Sequence, residues 1–183
     1  MNADYLKKLR RSLEKKGIAI RDGLGEEQLA ALEHDFGFAF PPDLRSMLGA
    51  FVPAGDDFPD WHDPHAFELI EWLDMPFDGI AFDVEENGFW RKEWGVRPED
   101  TDDAVEEARR QVALAPALIP VHAHRYLPAR PAEAGNPVFS VVQTDVIVYA
   151  PTLEDFFAEE FGGPPGRHGE PRRIDFWSDL AGE

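Results

Sequence analysis

The segment from Gly135 to Ala150, GNPVFSVVQTDVIVYA, constrains the fold more than any other part of the chain. A turn opening leads into two almost wholly apolar runs, Val138, Phe139, Val141 and Val142, then Val146, Ile147, Val148 and Tyr149. Short runs this rich in β-branched and aromatic side chains suit strands covered on both faces. Pro137 stands at a strand start, where a missing N–H does least harm. Gln143, Thr144 and Asp145 form the corner, although no Asn-Gly or Asp-Gly marks a tight turn. The pattern predicts a hairpin at the centre of the fold.

Around that hairpin the periodicity predicts an α+β chain. Residues 4–16 form an amphipathic helix with Tyr5, Leu6, Leu9 and Leu13 along one stripe and six basic residues, Lys7, Lys8, Arg10, Arg11, Lys15 and Lys16, crowding the same stretch. A second helix spans about 25–36, with Glu26 and Glu27 complementing its dipole, Leu29, Leu32 and Phe36 facing inward and Gly37 as its stop. Pro41 and Pro42 open a short helix through Leu48. Further helices are expected at 66–73, at 102–114 behind a Thr101 cap with Val105, Ala108 and Val112 as the buried line, and at 153–161, where Thr152 and Asp155 form a capping signal. Strands are expected at 79–84, 118–124, 137–142 and 146–150. Residues 162–173 read as a Gly/Pro/Arg-rich loop leading to an apolar cluster of Ile174, Phe176 and Trp177. No repeat or linker divides the 183 residues, so one domain with a sizeable core is expected.

Composition removes several function classes. The chain has no cysteine, which excludes disulfides, thiolate metal sites and a cysteine nucleophile. No apolar run spans a bilayer and the N-terminus is charged, so a soluble, cytoplasmic protein is expected, with no membrane partner. Against 18 basic residues stand 36 acidic ones, a formal charge of −18, which phosphate backbones repel. Half of the acid lies between Asp56 and Glu107, where only Arg91, Lys92 and Arg97 are basic. Such a run keeps a surface solvated. It also steers a basic partner. Phe58, Trp61, Phe67, Trp72, Phe77, Phe82, Phe89, Trp90 and Trp94 lie among these acids, as core residues or as interface anchors.

The order of these elements resembles the SUKH superfamily, the Smi/Knr-like domains. The resemblance is carried by Gly25-Glu26-Glu27 with Leu29 and Leu32, Phe36-Gly37-Phe38, and Phe40-Pro41-Pro42-Asp43-Leu44-Arg45. It continues through Phe58-Pro59-Asp60-Trp61, Phe82-Asp83-Val84-Glu85, Phe89-Trp90, Trp94-Gly95, Leu118-Ile119-Pro120-Val121, His124-Arg125-Tyr126-Leu127-Pro128 and the hairpin, covering about residues 24–161. Residues 1–22 stand outside it as a basic helical extension, and 162–183 as a C-terminal loop and apolar cluster. The resemblance implies a single domain with a central, largely antiparallel sheet flanked by helices, without a general catalytic constellation. Bacterial members are commonly immunity proteins that neutralise the toxin domains of polymorphic toxin systems, while fungal relatives act as hubs in cell-wall signalling.

Charge and resemblance together point to a non-catalytic protein that binds a basic toxin domain of nuclease or deaminase type. In this reading Asp56, Asp57, Asp60, Asp83, Glu85, Glu86 and Glu93 steer and pair charge, and Trp61, Trp90 and Trp94 are desolvated anchors. Two alternatives stay open. One is an intracellular scaffold or regulatory module, with head-to-tail self-association between the basic helix and the acidic middle. The other is a metal-dependent hydrolase. His122 and His124 on one strand face, with His62, His65, Asp60, Asp63 and Asp83, would form its ligand set, and Asp83 and Glu85 a second carboxylate pair. No recognised His-Glu spacing is present, Ser140 lacks a nucleophile elbow, and Pro164 and Pro165 deprive the Gly162–Gly166 loop of phosphate-binding N–H groups. No cofactor is expected.

Overall fold

In the computed structural model, which describes residues 1–166 and 169–182, two layers of helices enclose a four-stranded antiparallel meander. The meander runs β3 (Leu118–His122), β4 (Arg125–Pro128), β5 (Val138–Val142) and β6 (Asp145–Ala150) in sequence order. The central hairpin is β5–β6, with Val142 paired to Asp145 and the two-residue turn Gln143-Thr144 between them. Gln143 takes the left-handed conformation (φ 56°) that such turns require, without the usual Asn or Gly. Alternate residues serve opposite layers, as the period of two demands. Ile119, Val121 and Leu127 join one core, and Leu118, Tyr126, Phe139, Val141 and Val146 the other.

The first layer holds α1 (Ala3–Lys15), α2 (Glu26–Phe36), α3 (Pro42–Ala50) and α6 (Leu153–Phe161). Asn2 caps α1 by accepting from the Tyr5 N–H at 2.9 Å, and Leu9 and Leu13 are fully buried, as the stripe predicts. Gly37 ends α2 in the left-handed conformation (φ 70°). Thr152 caps α6, accepting from the Asp155 N–H while its hydroxyl donates to the Asp155 carboxylate. A second, two-stranded sheet pairs β1 (Ala19–Asp22) with β2 (Phe51–Ala54). The sequence hides both, because β1 is mostly exposed and polar and β2 contains Pro53, tolerated here in a pair that has only edges.

The second layer holds α4 (Phe67–Glu86), α5 (Thr101–Val112) and the short α7 (Trp177–Leu180). Asp100, rather than Thr101, caps α5, accepting from the N–H groups of Asp102 and Asp103. The larger correction concerns α4. Residues 79–84 are not a strand; they complete a 20-residue helix that begins at Phe67 and passes through Pro76. Proline at 76 removes the N–H that would bond the Trp72 carbonyl. The Tyr126 hydroxyl, on a fully buried side chain of β4, donates to that carbonyl at 3.2 Å and restores the missing bond. Tyr126→Phe is therefore expected to cost about 1–2 kcal/mol, read as a lowered denaturant midpoint with the same m-value.

Candidate functional site

Helix α4 carries charge of a single sign. Its 20 residues carry seven acidic side chains, Glu68, Glu71, Asp74, Asp78, Asp83, Glu85 and Glu86, and no basic one. One face, with Leu69, Pro76, Ile80 and Val84, is buried. The other stays in solvent and interleaves carboxylates with large apolar groups, with Phe67 70% exposed, Phe82 46% and Met75 43%. Among the described residues Glu68, Glu71, Asp74, Asp78, Glu85 and Glu86 make no ion pair and no side-chain hydrogen bond.

Stability does not explain that pattern. Glu68–Glu71, Glu71–Asp74 and Asp74–Asp78 are like-charge neighbours at helical spacings of three or four, each unfavourable by roughly 0.2–0.5 kcal/mol. Glu85 and Glu86 lie in the last turn, where the helix dipole disfavours anions. Arg97, donating to the Val84 carbonyl at 3.0 Å, offsets part of that cost. Beside the same face, an apolar groove of about 360 Å³ runs between α2, α4 and the start of β3. Phe36, Phe38, Ile70, Leu73 and Phe77 line it, and Asp35 and Asp74 stand among the lining residues. The arrangement can receive an apolar side chain flanked by cations.

The residues expected from sequence fall at the two ends of this helix, about 30 Å apart. At its N-terminal end Asp56 and Asp60 line one cavity with Glu68 and Trp72, and Asp57 is exposed beside them. Asp60 is already paired, 2.6 Å from Arg21, and also accepts from the His62 N–H. Its carboxyl is held below the usual range because these hydrogen bonds outweigh its desolvation. Trp61 is not an anchor. It is 3% exposed and packs edge-on against Phe40 and Phe36 inside the first core.

At the C-terminal end Glu85 and Glu86 are exposed, as expected. Asp83 is not a surface charge but a buried acceptor, bound to the Thr144 N–H (2.9 Å), the Thr144 hydroxyl (2.6 Å) and the Asn87 amide (2.6 Å). Because 79–84 is helical, Asp83 and Glu85 point to different faces and form no carboxylate pair. Trp90 and Trp94 are half-buried, packed edge-on at 5.2 Å, with the Trp90 indole donating to the Gly95 carbonyl. Glu93 pairs with Arg91 at 3.3 Å.

The histidines do not converge. His122 ends β3, and Ala123, at φ 45°, turns the chain so that His124 lies in the β3–β4 turn rather than two residues along a strand. The His122 ring sits among Phe58, Phe156 and Phe161, and burial pushes its pKa down. His62 lies beside Asp60, and His65 is exposed. Among the described residues no group of three or more His, Asp or Glu side chains is placed to hold a metal ion.

Sequence reasoning missed Phe67, Ile70, Glu71, Asp74, Met75, Asp78 and Phe82 as one surface. The signal was present in the acids at 71, 74, 78 and 85, which recur at the helical period. Comparison with protein-family models, curated proteins and solved structures yields no match. Among the described residues no helix is long and apolar enough to cross a membrane.

Proposed function

We propose that this chain is a non-catalytic binding protein that captures a basic protein partner on the exposed face of α4. The observation that supports this reading is the set of six unpaired carboxylates on one helix, interleaved with exposed Phe67, Met75 and Phe82. The acids steer the encounter and set its salt dependence, while the apolar groups give up their hydration on contact. The net charge of −18 works against association of two copies, so the partner is a different, cationic molecule. With the SUKH resemblance, the specific form of the proposal is an immunity protein whose carboxylates occupy the cleft where a toxin enzyme holds nucleic-acid phosphates.

The test is the combined variant Glu71→Lys, Asp74→Lys, Asp78→Lys. All three side chains are exposed and unpaired, and the change lowers the net negative charge and sets a lysine at 71 three residues from Glu68, so the variant is expected to be about as heat-stable as the parent. Its affinity for the partner, captured from a lysate of the native host at low salt and identified by mass spectrometry, should fall by about tenfold or more. Host cells should also lose protection from that toxin. Equal recovery of the same proteins by parent and variant would overturn the reading.

A further inference from the structure

Away from the acidic helix, a cavity of about 620 Å³ lies between the end of α5, the 91–94 turn, the Arg130–Pro131 corner and the segment 173–179. Its size falls in the range of small-molecule sites, roughly 300–1,000 Å³. Phe176 lines it from an unusual backbone conformation, φ 72° and ψ −56°, a strained region for a residue with a side chain. Several contacts hold it there. Arg91 donates to the Phe176 carbonyl and lies 5.0 Å over its ring, the Leu180 N–H donates to the same carbonyl, and Trp94 stacks on the ring at 6.3 Å. Strain of this kind is kept where surrounding structure enforces it, and it collects at ligand sites.

The cavity also holds a cation that the fold positions without neutralising it. One Arg130 nitrogen, Nη2, donates to the carbonyls of Leu114 and Ala115, at 3.0 and 2.9 Å, beyond the last turn of α5. Those two bonds fix the guanidinium, while Nε and Nη1 have no partner among the described residues. Glu93 and Asp179, the neighbouring carboxylates, are tied to Arg91. The Nε–H and Nη1–H groups left over lie on different edges of the guanidinium, and each can give a carboxylate oxygen a single charge-assisted hydrogen bond. Asp175 is also on the lining, so a single anionic charge suits the cavity better than a polyphosphate.

We propose that this cavity binds a small aromatic monocarboxylate, its ring against Phe176 and Trp94 and its carboxylate on Arg130. The site is independent of the α4 surface. Phenylacetate is the probe, with phenylacetamide as the neutral analogue and acetate as the anion without a ring. Binding is followed by the indole N–H resonances of the intact protein. Phenylacetate should shift the Trp94 resonance saturably with a dissociation constant of about 1 mM or tighter, and both analogues should bind at least about tenfold more weakly. Arg130→Gln should abolish the difference between phenylacetate and phenylacetamide. Leu114→Glu, at a 74% exposed rim position, should weaken phenylacetate about tenfold without touching the fold. Should Arg130→Gln unfold the chain, Leu114→Glu decides alone. Equal affinity for phenylacetate and phenylacetamide, or indifference to Leu114→Glu, would overturn the proposal.

Discussion

Gly79→Ala should destabilise this protein by about 2–3 kcal/mol, although alanine is the better helix former by about 1 kcal/mol. Gly79 lies in the interior of α4, where the helix crosses the turn of the central hairpin. A Cβ there would stand 2.7 Å from the Gln143 Cα and 3.0 Å from its backbone nitrogen. Both are main-chain atoms of a turn already held at φ 56°, so nothing nearby is free to move aside. Gly49, near the end of α3, is the control. A Cβ at 49 meets the Leu29 side chain at 3.7 Å and the Leu24 carbonyl oxygen at 3.9 Å, both ordinary contacts, so Gly49→Ala should be neutral or stabilising. Opposite signs for the two variants in urea titrations would establish the close approach of α4 to the hairpin. A stabilising Gly79→Ala would refute it, and with it the fixed placement of the acidic face.

That crossing also explains which parts of the fold were legible. The hairpin, α1, α2, α3 and α6 announce themselves through periods of two and 3.6 and through caps within a few residues of their ends. Their starts, stops and buried faces are written in their own segments. Helix α4 is written elsewhere. Pro76 and Gly79 read as breaks because their compensations come from Tyr126 and Gln143, about fifty to sixty residues away in the chain. The short apolar run 79–84 then passes for a strand, as such runs do when length cannot arbitrate.

The candidate site was half legible for the same reason. Counting charge located the acidic stretch, and Glu85 and Glu86 are exposed on it. Counting could not tell a free carboxylate from one already used. Asp60 is taken by Arg21 and Asp83 by Thr144, while Trp61 is drawn into the core by Phe36 and Phe40. The unpaired acids at 68, 71, 74 and 78 became a surface only once residues 66–73 and 79–84 were seen to be one helix.

The buried carboxylate of Asp83 should be worth about 3 kcal/mol at neutral pH, judged by Asp83→Ala, because removing it strands three donors at once. The side chain is 5% exposed and accepts from the Thr144 N–H, the Thr144 hydroxyl and the Asn87 amide. Desolvation alone would raise its pKa. The hydrogen bonds from Thr144 and Asn87 outweigh burial and hold the pKa below the ordinary 3.8. The sign of the pH dependence follows. A carboxyl whose folded pKa is depressed stabilises the fold above its unfolded pKa, and that contribution fades as pH falls through the folded value. Asp83→Asn, which keeps one acceptor but cannot ionise, should therefore trail the parent by a constant margin from pH 7 down to about pH 5. The gap should close as the medium is acidified past the pKa of Asp83. Denaturant midpoints measured for both proteins at neutral pH and near pH 3 test this directly. A margin that stays unchanged into acid would mean that the ionised form contributes nothing, leaving Gly79 and the apolar face to hold α4 on the hairpin.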